Sequence, residues 1–154
     1  MSNGSDFTMT RLVKRSVIVH QPIEKVFEFF ADAANLEVLT PHWLHFKIIS
    51  ALPINMGTGT LIDYKLKVKG LPISWRSEIL DWNPPFIFVD RQVNGPYEMW
   101  VHTHTFTEIG ANNIYVLVEN TSTGCIDSVP FLIKVQGLQT NNVFSPNNDG
   151  VNDY

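Results

Sequence analysis

Cysteine is nearly missing from this chain: Cys125 is the only one in 154 residues. A lone thiol excludes an internal disulfide framework and any cysteine-based zinc cluster. It also has no histidine or basic neighbour in sequence to lower its pKa, so no role is assigned to it. Basic residues are scarce too, with 11 Lys and Arg against 15 Asp and Glu and a net charge of −4. The basic face that nucleic-acid binders use is therefore not expected. No run approaches the ~20 apolar residues of a membrane-spanning helix. The opening MSNGSDFTMTRLVKR lacks the apolar stretch of a secretory signal. There is no G-x-S-x-G, no phosphate loop and no dinucleotide fingerprint. What is present suffices for a core, since 44% of residues are apolar and 12% aromatic. The expectation is one soluble, cytoplasmic globular domain, with no nucleic-acid partner and no stable membrane insertion.

The charge is unevenly spread. Residues 1–91 hold ten Lys or Arg and nine Asp or Glu, whereas residues 92–154 hold one base, Lys134, and six acids. The end of the chain is crowded with Asn141, Asn142, Asn147, Asn148 and Asn152. Two compositions in a short chain point to a domain followed by a segment of different origin. The expected division is a disordered 1–9, a domain over 10–119 and a β-rich or disordered 120–154.

Hydrophobic spacing assigns the elements. Residues 10–20 alternate around Val13, Val17 and Val19 and read as a strand. Pro22 suits the first position of a helix, where a missing N–H costs nothing. Ile23, Val26, Phe27 and Phe30 then follow at i, i+3, i+4 and i+7, the apolar stripe of an amphipathic helix. A second short helix fits 33–39, stopped near Pro41. Strand patterns follow at 46–51, 58–69, 73–82, 86–93, 97–108 and 113–119, with another at 129–135. Turn signals separate the earlier ones, among them Gly70 with Pro72, Asn83-Pro84-Pro85 and Asn94-Gly95-Pro96. One strand, two helices and an antiparallel meander make an α+β domain with its helices on one face of the sheet.

Alternation also assigns faces, because side chains on a strand point to opposite sides with period 2. Ile62, Tyr64, Leu66 and Val68 share one face, opposite Lys65, Lys67 and Lys69. The lysine stripe reads as a solvated outer face. Trp100, His102, His104 and Phe106 share a face on 97–108, and Phe88, Asp90 and Gln92 share one on 86–93. If these faces look inward, the interior mixes aromatics with two imidazoles, a carboxylate and an amide. A simple core does not want so many groups that each need a partner. A ligand cavity does.

Those residues carry a resemblance. The runs VFEFFADAANLEVLTPHWLHFKI, GTLIDYKLKVKGLPISWRSEI and WNPPFIFVDRQVNGPYEMWVHTHTF, within about residues 11–110, resemble the START-like or SRPBCC superfamily of polyketide cyclases and lipid-transfer domains. The resemblance implies a helix-grip fold, an antiparallel sheet wrapped around a long C-terminal helix, with a hydrophobic cavity between them. It also implies binding or transformation of apolar small molecules. After Gly110 the pattern departs. Residues 113–154, with NVFSPNNDGVND, resemble the gliding-motility-associated C-terminal region of secreted Bacteroidetes proteins. The family's closing helix has no candidate there. An uncovered sheet face would be apolar, so self-association through it is expected unless residues 120–140 cover the opening.

The chemistry-bearing residues allow more than one reading. His102-Thr103-His104 places two imidazoles on one face about 7 Å apart at ~3.4 Å per residue. A third ligand such as Asp90 or Glu78 would complete a zinc site, but spacing does not select one. Polar histidines of a cavity wall fit better, so no metal and no cofactor is expected. Beside Asp90 the histidines are also candidate catalytic acids or bases. Asp90 and Gln92 read either as sheet residues satisfied by Arg76 or Arg91, or as polar anchors in an apolar pocket. Tyr64, Trp75, Phe88, Trp100 and Phe106 would line that pocket. Asn147, Asn148, Asp149, Asn152 and Asp153 around Gly150 fall short of a calcium loop, because its terminal Glu is missing. The expected function is non-catalytic binding of a small hydrophobic molecule, oriented by Asp90, Gln92, His102 and His104. The alternative is a polyketide cyclase or dehydratase that uses His102, His104 and Asp90 as acid and base.

Overall fold

A computed structural model of the chain describes residues 10–124. Its elements are β1 (Arg11–Val19), α1 (Ile23–Ala31), α2 (Asn35–Leu39), a 3-10 turn (His42–Leu44), β2 (Lys47–Ile48), β3 (Leu61–Val68), β4 (Leu71–Asn83), β5 (Ile87–Asn94), β6 (Met99–Gly110) and β7 (Asn113–Thr123). The seven strands form one antiparallel sheet in the order β1-β7-β6-β5-β4-β3-β2. From β2 to β7 it is a meander; only β1 crosses over, to pair with the last strand. The expected strand at 129–135 and the region of the closing helix lie outside the described residues.

Local chemistry sets the turns. Val68 and Leu71 pair across a two-residue connection in which Lys69 and Gly70 have φ of 51° and 81°. That is the double left-handed geometry of a type I′ hairpin, and Gly70 adopts it without a Cβ penalty. At the β6–β7 turn, Asn112 takes the left-handed position with φ 55°. Pro22 stands one residue earlier than expected, as the N-cap of α1 rather than its first residue. Its carbonyl accepts the Val26 N–H at 3.1 Å.

The α1 stripe is as the spacing predicts: Val26, Phe27, Phe30 and Ala31 are buried against the sheet. Phe27 stands at the centre of an aromatic group, with ring centroids 5.3 Å from Trp82, 5.8 Å from Phe88 and 5.2 Å from Phe106. Edge-to-face pairs of this kind each contribute about 0.5–1.5 kcal/mol beyond the area they bury. A second cluster gathers Ala33, Leu44 and Ile48 with Tyr64, Trp75 and Trp100. The Ile48 N–H donates to the Glu37 carboxylate at 2.9 Å, tying α2 to the short edge strand β2.

Two differences from simple alternation matter. In β4, Trp75, Ser77 and Ile79 face inward, and period 2 would next bury Asp81 and expose Trp82. An irregularity between Ile79 and Asp81 leaves Leu80 without a partner and pairs Trp82 with Phe88. The extra residue turns Trp82 inward to Phe27, and such bulges raise local twist, which bends the sheet around α1. In addition, the strand expected at 113–119 continues to Thr123, because β6 pairs with it as far as Thr123 and β1 as far as Ser122.

Candidate functional site

The inner face of the sheet and the α1–α2 turn enclose a pocket of about 70 Å³. Phe30, Ala31, Ala33 and Leu36 form one wall, Ile62, Tyr64 and Ile79 the other, and Phe46 and Met56 stand at its side. Its polar floor comes from the register of one hairpin. In the β5–β6 pair, Asp90 lies opposite His102 and Phe88 opposite His104. Period 2 then puts all four side chains on the inner face.

These groups touch in a chain. The His102 Nδ1 lies 3.2 Å from His104 Nε2, so one of the two nitrogens donates to the other. The Asp90 carboxyl is 3.7 Å from His102 Nδ1, beyond ordinary hydrogen-bond length. His104 stacks on Phe88 with centroids 4.1 Å apart. Its Nδ1 is buried and has no hydrogen-bond partner. Behind Asp90 stands the Ser77 hydroxyl, which favours the ionised carboxyl. The same oxygen accepts the Trp75 indole N–H at 3.1 Å and meets the Tyr64 hydroxyl at 3.0 Å.

Burial dominates the electrostatics, because desolvation penalises whichever form is charged. It pushes the Asp90 carboxyl up to about 7, against the opposing pull of the Ser77 hydroxyl. It pushes the His102 imidazole down to about 4. His104 is held well below the usual imidazole range by burial first and by His102 second. Tyr64 is raised by burial and by the nearby Asp90 charge. At neutral pH the floor therefore carries two neutral imidazoles beside a carboxyl poised between its two forms.

Several expected residues meet in this pocket: Tyr64, Phe88, Asp90, Trp100, His102 and His104 all line it. Trp75 and Phe106 do not. They are buried behind the wall, Trp75 bracing Ser77 and Phe106 packing on Phe27 and Phe30. The Gln92 amide is engaged elsewhere, donating to the Tyr97 carbonyl at 2.6 Å, and so braces the β5–β6 turn. The reading of Asp90 as satisfied by Arg76 or Arg91 is corrected. Arg76 makes two hydrogen bonds to Asp63, at 2.7 and 2.8 Å, which hold that carboxyl below its usual range. Arg91 pairs with Glu78 at 2.8 Å. Register explains both pairs, since Asp63 faces Arg76 and Glu78 faces Arg91 across the outer side of the sheet. Glu78 is thereby removed as a partner of the histidines, and Asp90 remains. Ser77 was missed by the sequence reading, although its place between Trp75 and Ile79 put it on the inner face.

No family model matches the sequence, and no curated protein matches it. Solved structures do match in fold. The chain superposes on the Zhui aromatase/cyclase from Streptomyces sp. R1128 with a TM-score of 0.60 at 20% identity, covering 76% of this chain and 70% of that one. For norcoclaurine synthase from Thalictrum flavum, in complex with dopamine and hydroxybenzaldehyde, the TM-score is 0.59 at 13% identity, over 75% and 70% of the two chains. For the ginseng major latex-like protein 151 from Panax ginseng it is 0.57 at 12% identity, over 74% and 79%. These likenesses show an SRPBCC-type α+β fold of the helix-grip kind. They lend no support to the second resemblance, over residues 113–154. Of that stretch, Asn113–Thr123 is strand β7 of the sheet. No helix among the described residues is long and apolar enough to cross a membrane.

Proposed function

We propose that the protein binds a small hydrophobic molecule in the pocket between the α1–α2 turn and the sheet. The observation that carries this reading is the pocket's make-up. Its walls are aromatic and aliphatic, and its few polar groups converge on one spot, Asp90, His102, His104 and Ser77. That is how ligand sites are usually built. Removing apolar surface from water supplies the affinity, at ~25 cal/mol per Å². The imidazoles and the carboxyl orient a ligand oxygen or nitrogen. At about 70 Å³ the pocket is well under the ~300–1,000 Å³ of common ligand sites. A ligand larger than a small fragment therefore displaces side chains, and the flexible Met56 and the partly buried Phe46 are placed to yield.

Native mass spectrometry of the purified chain tests this. The expected result is a 1:1 adduct of a few hundred daltons or uptake of an added aromatic probe. Replacing Ala33 by Leu fills the pocket from the turn and is expected to abolish uptake while the domain stays folded. Unchanged uptake by a folded A33L protein would place the ligand elsewhere.

A second reading has its own observation, the contact between two neutral imidazoles beside a carboxyl poised near 7. These are the parts of a general acid–base pair, and two of the structures with this fold are a cyclase and a synthase by name. In that reading the pocket groups move protons on a polyketide-like substrate. His102→Ala or His104→Ala then abolishes turnover and leaves binding mostly intact. Turnover that survives both changes removes the idea.

A further inference from the structure

We infer that Asp90, His102 and His104 form a binding site for a divalent transition-metal ion, with zinc as the best match. One ligand atom from each of the three lies within 4.8 Å of the others. Two sides of the triangle are known: 3.2 Å between the histidine nitrogens and 3.7 Å from His102 Nδ1 to the carboxyl. Zinc bonds of about 2.0–2.1 Å in tetrahedral geometry require ligand atoms about 3.3 Å apart, so small side-chain rotations complete the set. Two imidazoles and one carboxylate are a donor set that suits zinc and its neighbours rather than magnesium or calcium.

Two further features fit. Ser77 lines the pocket with Asp90 and its hydroxyl is fixed by Trp75 and Tyr64, which makes it a polar neighbour of the kind that supports metal ligands. All three ligands line the same pocket.

The site goes beyond the binding reading and does not rest on it, since no hydrophobic ligand enters the test. Untagged protein is stripped with a chelator, exchanged into metal-free buffer and titrated with Co²⁺, whose visible d–d absorption distinguishes a low-coordinate protein site from the aqua ion. The expected result is saturation at one Co²⁺ per chain, displaced by Zn²⁺. His104→Phe is expected to weaken binding at least tenfold while keeping the fold, because a second ring continues the stack on Phe88. Asp90→Asn serves as an independent variant, with circular dichroism confirming that each is folded. A folded wild-type chain with no d–d band overturns the site. So does a band that persists unchanged in both folded variants, which would place the ion at exposed histidines such as His42 and His45.

Discussion

At the residue scale, Asp90 sits in an environment that opposes its ionised form. Its carboxyl titrates near 7 in the folded chain against 3.8 in water. Between these values the folded state holds a proton that the unfolded state releases. Asp90 therefore favours folding below about pH 4, and that contribution is lost as pH rises through 7. His102 acts in the opposite sense: lowered from 6.5 to about 4, it withdraws stability as pH falls through that range. Asparagine at position 90 does not titrate, so comparing the two proteins isolates the carboxyl. In metal-free protein, D90N is expected to gain stability relative to wild type from pH 4 to 7 and then level off. At 1.36 kcal/mol per pKa unit the gain is at most about 4 kcal/mol. Urea unfolding at several pH values measures it. A flat difference would mean that the carboxyl is solvated. Burial of this kind depends on neighbours from three other strands, so no local pattern around Asp90 announces it.

At the element scale, α1 and the bulged strand β4 shape the sheet. The helix was readable from spacing alone, since Ile23, Val26, Phe27 and Phe30 allow only one apolar face. The bulge at Leu80 was not, because one extra residue is a property of pairing with β5 rather than of β4 itself. It nevertheless decides that Trp82 meets Phe27. Phe27→Ala removes a ring touching three others and is expected to cost about 3–5 kcal/mol. Phe46→Ala, at the partly buried side of the pocket, is expected to cost less than half as much. Chemical denaturation gives both values. Equal losses would show that the aromatic group under α1 is not the centre of stability.

For the molecule as a whole, the meander places β7, β6 and β5 in the interior of the sheet and leaves β1 and β2 at its edges. Amide exchange is expected to be slowest in β6 and β7, which are paired on both sides and lie under α1. It is expected to be fastest in β2 and in residues 49–60, whose amides have few backbone partners. Hydrogen-exchange mass spectrometry reports this order directly. Slow exchange in β2 would mean that the edge is covered. The same arrangement joins the two proposals, since pocket and ion site share the β5–β6 hairpin and an occupant of either stabilises the folded chain by mass action.

The amino-acid sequence by itself determined the periods: which residues form α1, which face of β3 is apolar, that His102 and His104 share one face of β6, and that Phe88 and Asp90 share one face of β5. Those follow from the 3.6 and 2.0 repeats, which are local. It also carried the resemblance that leads to the helix-grip sheet. Only the tertiary structure decided which carboxylate meets the histidines. It set Asp90 opposite His102 and engaged Glu78 with Arg91, Asp63 with Arg76 and Gln92 with the Tyr97 backbone. The reason is physical. Strand register is fixed by turns, bulges and packing far along the chain, and a shift of one residue sends every side chain to the other face.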